Sequence, residues 1–430
     1  MIESKLLSST EWAFLSPRLF CYWPFTIRPS ANGAKKIHSC YSWNYGIPLS
    51  ATFLLLNIIF LSFYGRIKGN AYFNNKSLMA FDVYCIVVWD SIIMTNEIVI
   101  RIYCLLNLHK LNKFWERIVT LTTNYFEHSS QPDVVEHGLR QINNWAKTWT
   151  LLNFALVSVH LSCFIYPYIS GDEIRRGEDG FAAFMNVYME VVMCFHNVDV
   201  LFLIYFIKIM ILGFDLVSSK IQETVRFNLI QREARLMLSR KKSSGTELHK
   251  ETLPEMKSEI WVNSELTPTL NLLQTLENIV ESFNETFSIN MLGVVIMVMS
   301  QAIFAVYFLY CDPRSITSFT WAVSLITPLI LCPCSLVSLC FSASKLADKC
   351  YGIMRQMQGI PLSCMSREDQ WSVQLTVTRL SGKGVGIYVG RLFQIRASLL
   401  TSAVSTFATY FIIIIQMQIS SRSQKINNNK

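Results

Sequence analysis

The sequence predicts an all-α membrane protein with seven transmembrane helices, and three observations carry that prediction. Of the 430 residues, 51% are apolar and 16% charged, whereas a soluble domain carries roughly 25% charged residues. The mean hydropathy is positive, at +0.32. The apolar residues also gather in seven blocks near the ~20-residue length that a helix needs to cross a bilayer core. Seventeen glycines and twelve prolines fit neither a collagen-like nor a disordered chain.

Taken in order, residues 1–46 form a polar segment, long enough to put the first apolar block out of reach of a cleavable signal peptide. Spans are predicted at 47–64, 79–100, 149–169, 181–213, 287–310, 318–341 and 398–419. The first four make one bundle (47–213) and the next two a second unit (287–341). The last stands apart, before a short tail at 420–430. Two long polar connections, 214–286 and 342–397, lie between these units.

In the first connection, the run from Arg240-Lys241-Lys242-Ser243-Ser244-Gly245 to about Ser258 is too polar for a packed core. Beyond it Leu272, Leu276, Ile279, Phe283 and Phe287 recur at spacings of three and four. This is the apolar stripe of a helix that continues into the fifth span. The stripe suits an anchor between subunits as well as a packing face within its own chain. In the second connection, Gly382, Gly384, Gly386 and Gly390 mark a bend leading into the last span. They lack the strand-to-helix context and the Lys-Ser/Thr of a phosphate cradle. The twelve cysteines are scattered, several inside apolar blocks (Cys85, Cys163, Cys194, Cys332, Cys340), and show no paired zinc spacing. No metal site is expected.

Seven spans put the termini on opposite faces. Of the 38 lysines and arginines, 28 fall on the face shared by the N-terminal segment and the long connections, 9 fall on the other, and Lys208 lies within the fourth block. That excess places the N-terminus in the cytoplasm and the C-terminus outside. The sequon Asn75-Lys76-Ser77 then lies in an outer loop, making Asn75 a glycosylation candidate, and the loop at 171–180 is net acidic. A second sequon, at Asn284, falls inside a predicted helix and is read as chance. An inverted topology without an NPxxY-type ending argues against a G-protein-coupled receptor. Basic residues dispersed over several loops point to membrane orientation and not to nucleic acid.

The last span is the most informative. On a helical wheel Ser398, Ser402, Ser405, Thr406, Thr409, Gln416 and Ser420 fall within a third of the circumference, interrupted by Ile413. Leu400, Val404, Phe411 and Ile415 lie opposite. Hydroxyls and an amide in hydrocarbon need partners. Periodicity alone allows two solutions: close helix packing through small polar residues, or a hydrated pore shared by several copies around an axis.

Thr409-Tyr410, five apolar residues (Phe411, Ile412, Ile413, Ile414, Ile415) and Gln416 resemble the seventh-helix signature of insect gustatory receptors, with Met417 replacing a final Phe. The resemblance implies a homotetrameric, tastant-gated, non-selective cation channel in the plasma membrane of chemosensory neurons, with other receptor chains as further possible subunits. The seventh helix would line the pore, with Gln416 at the gate, Ile413 one turn below, Met417 as its apolar neighbour, and Ser405 and Thr409 deeper along the wall. The resemblance implies no enzyme and no cofactor. Phe411 stands where the sugar-receptor branch has Glu, so the segment is closer to fructose-receptor-like and bitter-type members.

With that topology, the outer halves of spans two to six hold Trp89, Asp90, His160, Glu190, Gln301, Tyr307 and Trp321, together with Asp82, Tyr166 and Thr327. Aromatic faces beside carboxylates and amides suit a hydroxyl-rich, neutral ligand such as a sugar. The same residues also serve as interfacial anchors, satisfied core groups or interhelical pairs. Glu97 and Asp199 lie deeper, where pairing is expected. A metabotropic receptor is the main alternative. A transporter or enzyme finds no HExxH, GxSxG or repeated half-domain pattern.

Overall fold

A computed structural model of the chain describes residues 26–29, 35–38, 52, 55, 80–127, 129, 131–169, 200–226, 257–311, 319–360, 365–390 and 392–428, with side chains for part of them. The helices, in chain order, are α1 (Ala80–Leu106), α2 (Leu108–Leu121, continued by a π-turn over Thr122–Phe126), α3 (Pro132–Ile169), α4 (Val200–Arg226), α5 (Lys257–Cys311), α6 (Phe319–Gln358), α7 (Arg367–Lys383) and α8 (Ser398–Asn428). Two short antiparallel hairpins accompany them: β1 (Thr26–Pro29) with β2 (Lys35–His38), and β3 (Tyr388–Val389) with β4 (Phe393–Gln394). The chain is mostly helical, as expected, with these two short hairpins added.

Among the described residues, four helices are long and apolar enough to cross a membrane: Val200–Arg226, Leu266–Tyr310, Leu329–Gln358 and Ser398–Ser420. They hold most of the predicted fifth to seventh spans and the described part of the fourth. The predicted second and third spans fall within α1 and α3. The first span, 47–64, lies outside the described residues apart from helical Thr52 and Leu55. So do Asn75, Glu190, Asp199, the loop at 171–180 and the polar run beyond Arg226.

The helices extend past their apolar blocks, and these extensions form the core. Along α5 the stripe Leu272, Leu276, Ile279, Phe283 and Phe287 is fully or almost fully buried. It packs inside its own chain, so the in-chain reading of the stripe holds for these residues. Phe283 and Phe287 meet Phe114 of α2 at centroid distances of 5.7 and 5.4 Å, and Phe287 meets Phe202 and Phe206 of α4 at 5.9 and 6.0 Å. Burying such rings contributes about 2 to 3 kcal/mol each. Gly213 of α4 lets the two helices approach, because a Cβ there would come within 2.5 Å of Leu276.

Charges in this region are matched. Arg379 of α7 pairs with Glu277 of α5, its Nη2 donating to Oε1 at 3.0 Å while its Nε lies 3.0 Å from Oε2, a charge-assisted contact stronger than a neutral hydrogen bond. Lys349 of α6 pairs with Asp215 of α4. Lys208, the lysine inside the fourth block, lies 4.7 Å from the centroid of the Trp145 ring on α3, so a π face meets its charge.

α7 starts where Ser366 caps it, its Oγ accepting from the Asp369 N–H at 3.1 Å and donating to the Asp369 carboxylate at 2.6 Å. It ends at Gly384, whose φ of 53° is a left-handed conformation that favours glycine. The glycine-marked bend thus exists, and within it the chain forms the β3–β4 hairpin. Gly390, at φ 55°, makes the tip, closed by the Leu392 N–H donating to the Val389 carbonyl at 2.8 Å. Ile387, Val389 and Ile395 anchor the hairpin in the core.

Candidate functional site

Four of the predicted ligand residues are described with their side chains, and they gather where α1, α5 and α6 meet. Trp89 of α1 is buried and stacks on two rings of α5, Phe304 at 6.0 Å and Phe308 at 5.7 Å. Tyr307 is fully buried and packs edge-on to Phe308 at 5.0 Å. Gln301 lies on the same face of α5 as Phe304 and Phe308, being three and seven residues away. Its Oε1 accepts from the Cys332 thiol of α6. Asp90 is buried beside Trp89, and Glu97 is wholly buried two turns further along α1. His160 lies on α3 and Trp321 on α6, with their side chains outside the described set, as are those of Asp82, Tyr166 and Thr327.

Two donors in this cluster stand out. The indole Nε1–H of Trp89 and the amide Nε2 of Gln301 are buried and have no hydrogen-bond partner among the described residues. A buried polar N–H without a partner costs about 1 to 3 kcal/mol. The cluster therefore combines packed aromatic rings with two buried N–H groups that have no partner among the described residues. Sequence reasoning found Trp89, Gln301 and Tyr307 but missed Phe304 and Phe308. Their positions three and seven residues beyond Gln301, on one helix face, were the available signal.

The predicted gate residues lie on α8, an uninterrupted helix through Ser398–Asn428. None of its most apolar stretch is buried, against 83% of the corresponding stretch of α4. Contact with the rest of the chain is confined to one side. Leu399, Leu400 and Ala403 pack on the core, Phe407 stacks on Phe411 at 6.0 Å, and Gln418 is 2% exposed. Gln418 is 18 residues from Leu400, five full turns, and so shares its face. Ser402, Ser405, Thr409, Gln416 and Ser420 are all exposed, as are Ile413 at 43% and Met417 at 51%. Thr409 returns its hydroxyl to the Ser405 carbonyl at 2.9 Å. Val404, placed by the wheel opposite the polar stripe, is 67% exposed as well. Gln418 was not anticipated, because an amide so near the end of an apolar helix reads as surface.

The 7tm Chemosensory receptor family profile matches residues 19–421. The chain belongs to this family. Among solved structures it is similar to the insect olfactory receptor OR5 from Machilis hrabei in complex with eugenol, with a TM-score of 0.62 and 12% identity over 96% of this chain and 99% of that one. A second structure of the insect olfactory receptor OR5 from Machilis hrabei gives a TM-score of 0.59, again at 12% identity and with the same coverage. No individually curated protein matches the chain by sequence. The family match bears out the resemblance to insect chemoreceptors read from α8. At 12% identity, the two structural likenesses speak for the shared fold.

Proposed function

We propose that this chemosensory receptor is a gustatory-type, ligand-gated cation channel, a homotetramer with α8 of each subunit lining a central pore. The carrying observation is that the uncharged polar stripe of α8 faces away from its own bundle, uncovered by its own chain. An exposed helix bearing both an apolar band and a line of hydroxyls is at odds with a lone subunit in lipid. Around a symmetry axis the same stripe becomes rings of Ser405, Thr409 and Gln416, with Ile413 and Met417 forming apolar constrictions. The motif from Thr409 to Gln416 supports the gustatory type. The N-terminus is cytoplasmic and the C-terminus outside, and Asn75 carries glycan.

The Trp89, Gln301 and Tyr307 cluster forms the outer binding pocket, extended by Asp90, His160, Glu190 and Trp321. Its ligand is a small, neutral, acceptor-rich molecule of sugar type, because stacked rings beside unpartnered N–H donors suit CH faces and hydroxyl oxygens. Binding shifts the closed–open equilibrium only by its differential affinity for the two states.

Excised patches from cells expressing the chain, with neither nucleotides nor G proteins, should pass current when D-fructose, sucrose or caffeine is applied. Absence of current with any of them would contradict the channel reading, and a response to caffeine alone would reassign the ligand to the bitter class. Gln416→Ala should change the basal or evoked current. Identical currents from mutant and wild type would remove Gln416 from the gate.

A further inference from the structure

The hairpin that precedes α8 is held by side chains from α5 and α6, two of the three helices that meet at the candidate pocket. In β3 and the residue before it, the Val389 and Ile387 carbonyls face β4 and its turn, accepting from Leu392 and Ile395 N–H at 2.8 Å each. The other edge of the strand is completed by Asn284 of α5. Its Nδ2 donates to the Gly386 carbonyl at 2.8 Å, and its Oδ1 accepts from the Tyr388 N–H at 3.0 Å. One amide thus takes the place of a neighbouring strand, satisfying a donor and an acceptor that an edge would leave bare. At the far end of the hairpin, the Ala397 N–H, at the threshold of α8, donates to Ser344 Oγ of α6 at 2.8 Å. An amide at a helix N-terminus without an intrahelical partner is therefore tied to another helix.

Asn284 and Gln301 stand on one unbroken helix, 17 residues and so about 25 Å apart. Ser344 and Cys332, the thiol that Gln301 accepts from, likewise share α6. Each helix has one stretch in the pocket and another, further along, on the backbone leading into α8. We propose that Asn284 and Ser344 are positioning residues that convert displacement of α5 and α6 into movement of α8, making the β3–β4 hairpin the joint between ligand pocket and pore. The sequon context of Asn284 is then incidental, and its amide is engaged at both ends.

This inference rests on the channel reading, and the test separates the two. Asn284→Ala and Ser344→Ala are compared with wild type by surface biotinylation and by the concentration of D-fructose, sucrose or caffeine that gives half-maximal current. Both variants should reach the surface and raise that concentration fivefold or more, the lower end of usual coupling between sites. Asn284→Asp keeps the acceptor for Tyr388 and loses the donor to Gly386, and should shift the response in the same direction. A purely structural role would lower surface protein and maximal current and leave the half-maximal concentration unchanged, and that result overturns the proposal. If wild type itself passes no current, the channel reading fails and the coupling falls with it.

Discussion

At the scale of single residues, the chain separates groups that pack from groups that remain available. Phe114, Phe206, Phe283 and Phe287 pack against one another and against the neighbouring rings of Trp115, Phe202 and Tyr205, so their role is cohesion. Trp89 uses its ring in the same way against Phe304 and Phe308, yet its N–H lacks a partner among the described residues. Trp89→Phe tests these two parts separately, since it preserves a stackable ring and deletes the donor. The expected outcome is unchanged thermal stability of the detergent-solubilised protein, with half-maximal current requiring about tenfold more ligand, the equivalent of one hydrogen bond worth about 1.4 kcal/mol. A large drop in melting temperature with an unchanged response would make Trp89 a packing residue only. Trp89→Ala should lose both properties.

At the scale of elements, the hairpin β3–β4 is the tightest fit. A Cβ at Gly386 would collide with the side-chain amide of Gln394, its neighbour across the hairpin. Gly386→Ala should therefore broaden or abolish the monodisperse size-exclusion peak, and adding Gln394→Ala should restore part of it. A single mutant that elutes like wild type would show that Gln394 has other room. This element also marks the limit of what the sequence discloses. The glycines foretold a bend, and the 3.6-residue stripe from Leu272 to Phe287 foretold a helix and its buried face, because both signals are local. Strands of two residues have too few alternations to register as a period. The bond from Asn284 to Gly386 joins positions 102 apart, and the Trp89 stack joins residues more distant still, so tertiary geometry alone reveals them. For the same reason the stripe's period could not say whether its partner was the same chain or another, which only the contacts with Phe114 and Phe206 decide.

At the scale of the whole molecule, the unequal covering of the helices is the feature that calls for an explanation. α4 is enclosed by its neighbours, whereas α8 leaves Val404, Tyr410, Ile412, Ile413, Met417 and Ile419 open alongside its hydroxyls. Lipid can cover the apolar side but leaves the Ser405 hydroxyl and the Gln416 amide facing hydrocarbon, with Thr409 donating to the Ser405 carbonyl between them. A closed ring of copies solves both problems at once, turning the polar line to water in the pore and the flanks to adjoining helices or lipid. Ring closure needs every copy to present the same two flanks, and α8 is long enough to line the full thickness of a bilayer. The chain carrying Ile413→Cys at the proposed constriction should, on mild oxidation in membranes, link pairs of neighbouring subunits. Amine cross-linking of the solubilised protein should give a ladder ending at four times 49.5 kDa. Thiol-reactive cations applied to Ile413→Cys should reduce the current. A ladder stopping at one or two copies, or a current indifferent to the reagent, would place the stripe against something other than a shared pore.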